Sequence, residues 1–85
     1  MIEDVRRKIE EAGYEDIIIF DNPDYSTAFL GVTTSGHAIY DYELMVEYLV
    51  QKCEMDYESA ADFICYNDSF YYGKEAYPLI LNRLE

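Results

Sequence analysis

The chain has 85 residues, of which 18 are acidic and six are basic, and its formal net charge at pH 7 is −12. This length predicts a single domain over residues 1–85, because a small chain needs nearly all its apolar residues for one core. The apolar fraction of 51 % excludes a disordered chain, and no run approaches the ~20 apolar residues of a membrane span. We therefore predict a soluble, cytoplasmic protein. Its negative charge disfavours direct binding to nucleic acid or to an acidic membrane.

The first predicted element is a helix that ends at Gly13, a residue suited to a left-handed stop. Its apolar residues recur at spacings of three and four: Ile2, Val5, Ile9 and Ala12. The β-branched run over 16–20 then predicts a strand that is covered on both faces. A turn is predicted over 21–24, where Asn precedes Pro.

A β-hairpin is predicted next, and two registers are open. A two-residue turn over 35–36 pairs Val32 with Ile39. A three-residue turn over 34–36 pairs Leu30 with Tyr40 and Val32 with Ala38. We favour the three-residue turn, because it requires a positive φ only at Gly36. His37, the single histidine, has no second ligand or base at a useful spacing and is predicted to be a strand-end residue.

Two helices and a short strand complete the predicted fold. Asp41 and Asp56 are predicted N-caps, and the third helix is predicted to stop at Asn67. Both cysteines fall in predicted helices and are expected to be reduced and buried: Cys53 and Cys65. With a possible C-terminal strand from Pro78, the order is αβββαα and the class is α+β. We expect one antiparallel sheet with helices mainly on one face.

The central part of the chain is almost free of basic residues. Residues 9–73 contain fourteen acids and one base, Lys52. Glu43 and Glu47 stand four apart, as do Glu58 and Asp62, so each pair repels by roughly 0.2–0.5 kcal/mol on a helix. Two interpretations are open: an acidic face that only keeps the protein soluble, or a surface that occupies a basic groove as a nucleic-acid backbone would.

Tyrosine adds to the second interpretation. Ten tyrosines exceed what one small core holds, and tyrosine is a favoured interface residue. The predicted partner-binding residues combine acids of this region with tyrosines in predicted loops: Asp41, Glu43, Glu47, Glu54, Asp56, Glu58, Asp62, Tyr25, Tyr71, Tyr72 and Tyr77. Enzyme motifs are absent from the sequence, so we predict no catalytic activity, no cofactor and no metal site.

Several short motifs lie from Phe20 onward, and the most specific is Tyr66-Asn67 followed by the Pro-led segment 78–80. In these motifs the sequence resembles a group of small acidic proteins of gut Firmicutes and their mobile elements. That group usually carries Thr and Arg after the Asn, whereas this chain has Asp68-Ser69-Phe70, so no role for a basic side chain carries over. The group has no settled activity, so the resemblance implies no catalytic residues.

Size, charge and element order also resemble those of small acidic phage anti-CRISPR proteins, an analogy of class alone. The predicted function is a non-catalytic inhibitor that occupies a basic site of a nucleic-acid-handling protein. The predicted partner is a basic protein surface, and the protein itself is expected to be a monomer or weak homo-oligomer. The alternative is a small oligomeric interaction module whose acidic face is only solubilising.

Overall fold

The computed structural model describes residues 2–71 and 76–84, with the side chains of all these except 68–71. Its elements are helix α1 (Ile2–Glu11), a short 3₁₀ turn (Ser26–Ala28), strands β1 (Phe29–Val32) and β2 (Ala38–Asp41), helices α2 (Tyr42–Lys52) and α3 (Tyr57–Tyr71), and strand β3 (Leu79–Leu81). The fold is α+β, as predicted. None of the described helices is long and apolar enough to cross a membrane.

The described sheet has three strands in the order β1-β2-β3, and it is mixed. β1 and β2 are antiparallel, whereas β3 lies parallel to β2. The predicted antiparallel sheet is wrong on this point. The reason is topological: the chain passes through α2 and α3 between β2 and β3, and such a crossover returns it to the same end of the sheet.

The segment 17–20 is not a strand, although the sequence predicts one there. Ile19 and Phe20 are buried, so the apolar run does pack into the core. The backbone N–H of Phe20 donates to the Tyr40 hydroxyl at 3.2 Å. This segment therefore packs against the sheet through its side chains, and a side chain satisfies a backbone donor that a strand would have paired.

The hairpin has the three-residue loop but not the whole predicted register. Val32 pairs with Ala38 and Gly36 has a φ of 92°, as expected for that loop. The predicted pairing of Leu30 with Tyr40 is wrong, because an irregularity between residues 29 and 31 places Phe29 opposite Tyr40. The two rings pack edge to face at 5.7 Å, while Leu30 stays 42 % exposed. The bulge thus directs an aromatic ring to the core and leaves the leucine outside.

The core joins residues from every layer of the fold: Val5, Ile9, Ile19, Phe20, Tyr25, Ala28, Ala38, Tyr40, Met45, Val46, Leu49, Ala60 and Ile64. Its centre is aromatic. The ring of Phe20 packs edge to face against Tyr25 at 5.3 Å and Tyr40 at 4.8 Å. Ala38 and Tyr40 alternate with the half-buried Ile39, so β2 presents one face to the helices.

Both predicted helix caps are present. The Asp41 carboxylate accepts from the Leu44 N–H at 3.3 Å, and the Asp56 carboxylate accepts from the Ser59 N–H at 2.7 Å. The third helix does not stop at Asn67 but continues to Tyr71.

The cysteine prediction is wrong as to burial. Cys53 and Cys65 are free thiols, but both are exposed. Cys53 is the C-cap of α2, and Cys65 follows the buried Ile64 on α3 and therefore points away from the core.

Candidate protein-binding surface

Six carboxylates lie exposed on α2, on α3 and on the short connection between them. We call this set the acidic face: Glu43, Glu47, Glu54, Asp56, Glu58 and Asp62. Their exposure follows from the helical period, since the residues that α2 buries are Met45, Val46 and Leu49. Glu43 and Glu47 are one turn apart and share the outer side of that helix.

Tyr42, at the start of α2, is influenced by acids of both helices. The pKa of Tyr42 is raised, first by burial and then by the neighbouring Tyr57, Glu43, Cys65 and Asp62. Glu43 belongs to α2 and Asp62 belongs to α3, so their negative potentials overlap at the Tyr42 hydroxyl. Packing of α2 against α3 therefore brings one acid from each helical pair near Tyr42.

Two exposed tyrosines flank these acids, and the sequence analysis did not select them. Tyr57 is 57 % exposed at the start of α3, and Tyr66 is 76 % exposed near its end. Tyr66 lies four residues after Asp62 and eight after Glu58, so it stands on the same side of α3. This spacing is visible in the sequence and would have identified Tyr66 as a candidate contact.

No ion pair joins the acidic face to a base within the described part of the chain. Arg7 lies 3.1 Å from Asp4 and 3.9 Å from Glu11, all within α1. Arg83 pairs with Asp41, which is not on the face. Among the described cations, those that form ion pairs do so elsewhere, and the carboxylates of the acidic face remain uncompensated.

Asp41, although predicted to bind a partner, is only 1 % exposed. One carboxylate oxygen caps α2, and the other lies 2.5 Å from Nε of Arg83, a residue that follows β3. The expectation that Asp41 is available to a partner is therefore wrong. Its role is structural: it joins the start of α2 to the C-terminal segment.

The tyrosines predicted to bind a partner differ in their exposure. Tyr25 is fully buried and packs against Tyr48 with ring centroids 5.8 Å apart. The prediction that Tyr25 is an exposed partner contact is therefore wrong. Burial is the largest cause that raises the pKa of Tyr25. Tyr77 is half-buried: its carbonyl accepts from Nδ1 of His37 at 2.9 Å, and the two rings pack 5.1 Å apart. The Tyr71 side chain and the whole of Tyr72 lie outside the described residues.

Within the described residues, no group of three or more His, Cys, Asp or Glu side chains is placed to hold a metal ion. No family model, no curated protein and no solved structure matches the chain. The surface must therefore be interpreted from its own geometry, and the resemblance seen in the sequence stays a prediction.

Proposed function

We propose that this protein is a non-catalytic acidic binding protein, an inhibitor that occupies a basic site of a nucleic-acid-handling protein. The observation that carries the proposal is the exposure of Glu43 and Glu47 on α2 and of Glu58 and Asp62 on α3, with no ion pair to a base among the described residues. A surface of this kind is complementary to a groove lined by lysine and arginine.

The spacing of the carboxylates supports mimicry of a nucleic-acid backbone. Residues four apart on a helix are about 6 Å apart along its axis, since each residue rises about 1.5 Å. Phosphates recur about every 3.4 Å along one strand of duplex DNA. Glu43 and Glu47 thus supply about one charge for every two phosphates, and Glu58 and Asp62 repeat that spacing on α3.

The exposed tyrosines fit the same partner. An arginine side chain pairs with carboxylates through its guanidinium and also stacks on aromatic rings. Tyr57 and Tyr66 lie beside acids on α3 and remain largely exposed. The acidic face therefore offers both groups that an arginine in a nucleic-acid-binding groove would contact.

The test compares the wild-type protein with a variant that has four charge reversals on the acidic face: Glu43→Lys, Glu47→Lys, Glu58→Lys and Asp62→Lys. Each is immobilised and exposed to lysate of the native host, and the bound proteins are eluted with duplex DNA or RNA. The expected result is a nucleic-acid-binding protein that the wild type retains, that DNA or RNA displaces, and that the reversed variant does not retain.

A matched control keeps the change in net charge but moves it to other exposed acids: Glu10→Lys, Glu11→Lys, Glu15→Lys and Asp21→Lys. Circular dichroism confirms that both variants are folded. The control should still retain the partner. Equal retention by the acidic-face variant, or bound proteins that no nucleic acid displaces, would contradict the proposal.

One observation favours the alternative of an oligomeric interaction module. Leu81, at the end of β3, is 45 % exposed, and Leu84 is 94 % exposed. Analytical ultracentrifugation separates the two functions: a self-associating module forms dimers that Leu81→Ser disrupts, whereas the inhibitor sediments as a monomer at high micromolar concentration.

A further inference from the structure

A second candidate surface lies away from the acidic face, between helix α1 and strand β1. A groove of about 320 Å³ runs there. All four residues of β1 line one side, Lys8, Ile9 and Ala12 line the other, and Tyr14 lies with them. The groove is thus bounded by a strand along one side and by the end of a helix along the other.

β1 is an edge strand of the described sheet, because β2 pairs with it on one side only. The Thr33 N–H donates to the His37 carbonyl at 2.8 Å, so that pair is hydrogen-bonded across the hairpin. Antiparallel pairs alternate, so Val32 opposite Ala38 directs its N–H and C=O away from β2. Leu30, at the bulge, has no partner residue on β2.

An open strand edge beside an apolar groove is the arrangement in which proteins bind an extended peptide as an additional strand. Backbone hydrogen bonds supply affinity, and side chains that alternate toward the groove supply specificity. Ile9 and Phe29 give this groove an apolar lining, and neither is exposed. Lys8 is exposed at its side and has no ion pair among the described residues.

We propose that the groove between α1 and β1 binds an extended peptide segment of a partner protein, paired as a strand on β1. Its alternate side chains are apolar and enter the groove, and one acidic side chain pairs with Lys8. The proposal does not depend on the function proposed for the acidic face, since that face belongs to α2, α3 and their connection.

Charge and strand geometry argue against a second copy of the chain as the occupant. Two chains of net charge −12 repel each other. β1 has only four residues and a bulge, features that blunt pairing between like edges. A short peptide of a partner needs only the few backbone groups of β1 that face away from β2, and it does not carry that charge.

The first experiment selects random hexapeptides displayed on phage against the wild-type protein. Ala12→Arg serves for counter-selection, because Ala12 is exposed and a large side chain there fills the groove without disturbing the core. Gln51→Arg, an equal change in charge at an exposed position of α2, is the matched control. The expected peptides alternate apolar residues, contain an acid, and bind the wild type and Gln51→Arg but not Ala12→Arg.

The second experiment uses the selected peptide as a synthetic, end-blocked hexapeptide in a titration followed by NMR. Amide shifts should be largest at Leu30 and Val32. N-methylation of the peptide at the residues that pair with β1 should weaken binding about tenfold, the value of two or so lost hydrogen bonds. Lys8→Glu should weaken it about twofold to fivefold, as expected for an exposed ion pair, whereas Lys52→Glu should not.

Three results would overturn the proposal: no peptide enriched on the wild type over Ala12→Arg, full affinity of the N-methylated peptide, or a dimer in sedimentation that Ala12→Arg dissociates. The last would assign the groove to a second copy of the chain.

Discussion

Replacing Arg83 by alanine tests whether Asp41 supports the fold or serves the acidic face. The Asp41 side chain is 2 % exposed, and its second carboxylate oxygen lies 2.5 Å from Nε of Arg83. Arg83→Ala leaves that carboxylate without its cation. Removing one partner of a fully buried pair costs about 3–5 kcal/mol, whereas exposed pairs contribute about 0–1 kcal/mol. Arg83 is half-exposed, so we expect an intermediate loss of about 1–3 kcal/mol in the free energy of unfolding.

Asp41→Asn removes the charge at position 41 but keeps an oxygen that can cap α2, so it distinguishes the effect of the charge from that of the cap. Asn is about as good an N-cap as Asp, so Asp41→Asn should keep the bond from the Leu44 N–H and lose about 1 kcal/mol or less. Asp41→Ala also removes the cap and should cost about a further 1 kcal/mol. In the Asp41→Asn background residue 41 has no charge for Arg83 to neutralise, so Arg83→Ala should then have little effect.

Urea unfolding followed by circular dichroism measures the stability of the wild type and of these four variants. A chain of 85 residues has a total stability of roughly 4–13 kcal/mol, so losses of this size shift the midpoint clearly. Strict additivity of Asp41→Asn and Arg83→Ala would refute the reasoning, as would a loss below about 0.5 kcal/mol for Arg83→Ala alone. Partner binding should be unchanged in Asp41→Asn if the protein remains folded.

Three further predictions concern the core and the turns. Tyr25→Phe should be neutral or stabilising, because the Tyr25 hydroxyl is buried with no hydrogen-bond partner among the described residues. Tyr40→Phe should cost about 1–3 kcal/mol, because it removes the bond that the buried Phe20 N–H donates to the Tyr40 hydroxyl. Equal losses in urea unfolding would contradict this pair of predictions. The hydrogen bond from the Ser59 N–H lowers the pKa of Asp56. The contribution of the Asp56 carboxylate to stability is therefore complete above the ordinary value of 3.8 and is lost as pH falls from there toward the lowered pKa. Asp56→Asn should abolish this pH dependence, and an ordinary pKa for Asp56 in an NMR titration would contradict the prediction. Gly36→Ala should lower the free energy of unfolding by about 1–2 kcal/mol, because residue 36 has a φ of +92°. The new Cβ would lie 3.7 Å from Ile17, an ordinary contact, so the cost comes from the backbone. Gly36→Asn should lose less in the same assay, because Asn tolerates a positive φ better.

The helix caps were predictable from the sequence because capping is local. The Asp41 and Asp56 carboxylates each accept from a backbone N–H three residues later, so residue type and position suffice to find them. The segment 17–20 was not predictable in the same way. A run of buried apolar residues is the signal of a strand, but it is equally satisfied by irregular chain packed on a sheet. The deciding contact, Phe20 to the Tyr40 hydroxyl, spans twenty residues.

The candidate site shows the same division between local and distant causes. Glu43, Glu47, Glu58 and Asp62 were expected to be exposed, and the structure exposes them, because charged residues are seldom buried without a partner. Asp41 has the same charge but is buried, since Arg83 lies beside it in space and 42 positions away in sequence. Nothing in the spacing of residues reveals such a pair before the position of β3 is known.

Glu47→Lys tests whether the acidic face is held at some cost in stability. It replaces a repulsion with Glu43 by an attraction at the same spacing, which should raise the free energy of unfolding by about 0.5–1 kcal/mol. The same change should weaken retention of the nucleic-acid-displaceable partner, because it removes a charge from the acidic face. A variant that is more stable but binds less would indicate that the uncompensated acids are kept for the partner. Loss of stability in urea unfolding would instead mean that the Glu47 carboxylate supports the fold, and the acidic face would then need another explanation.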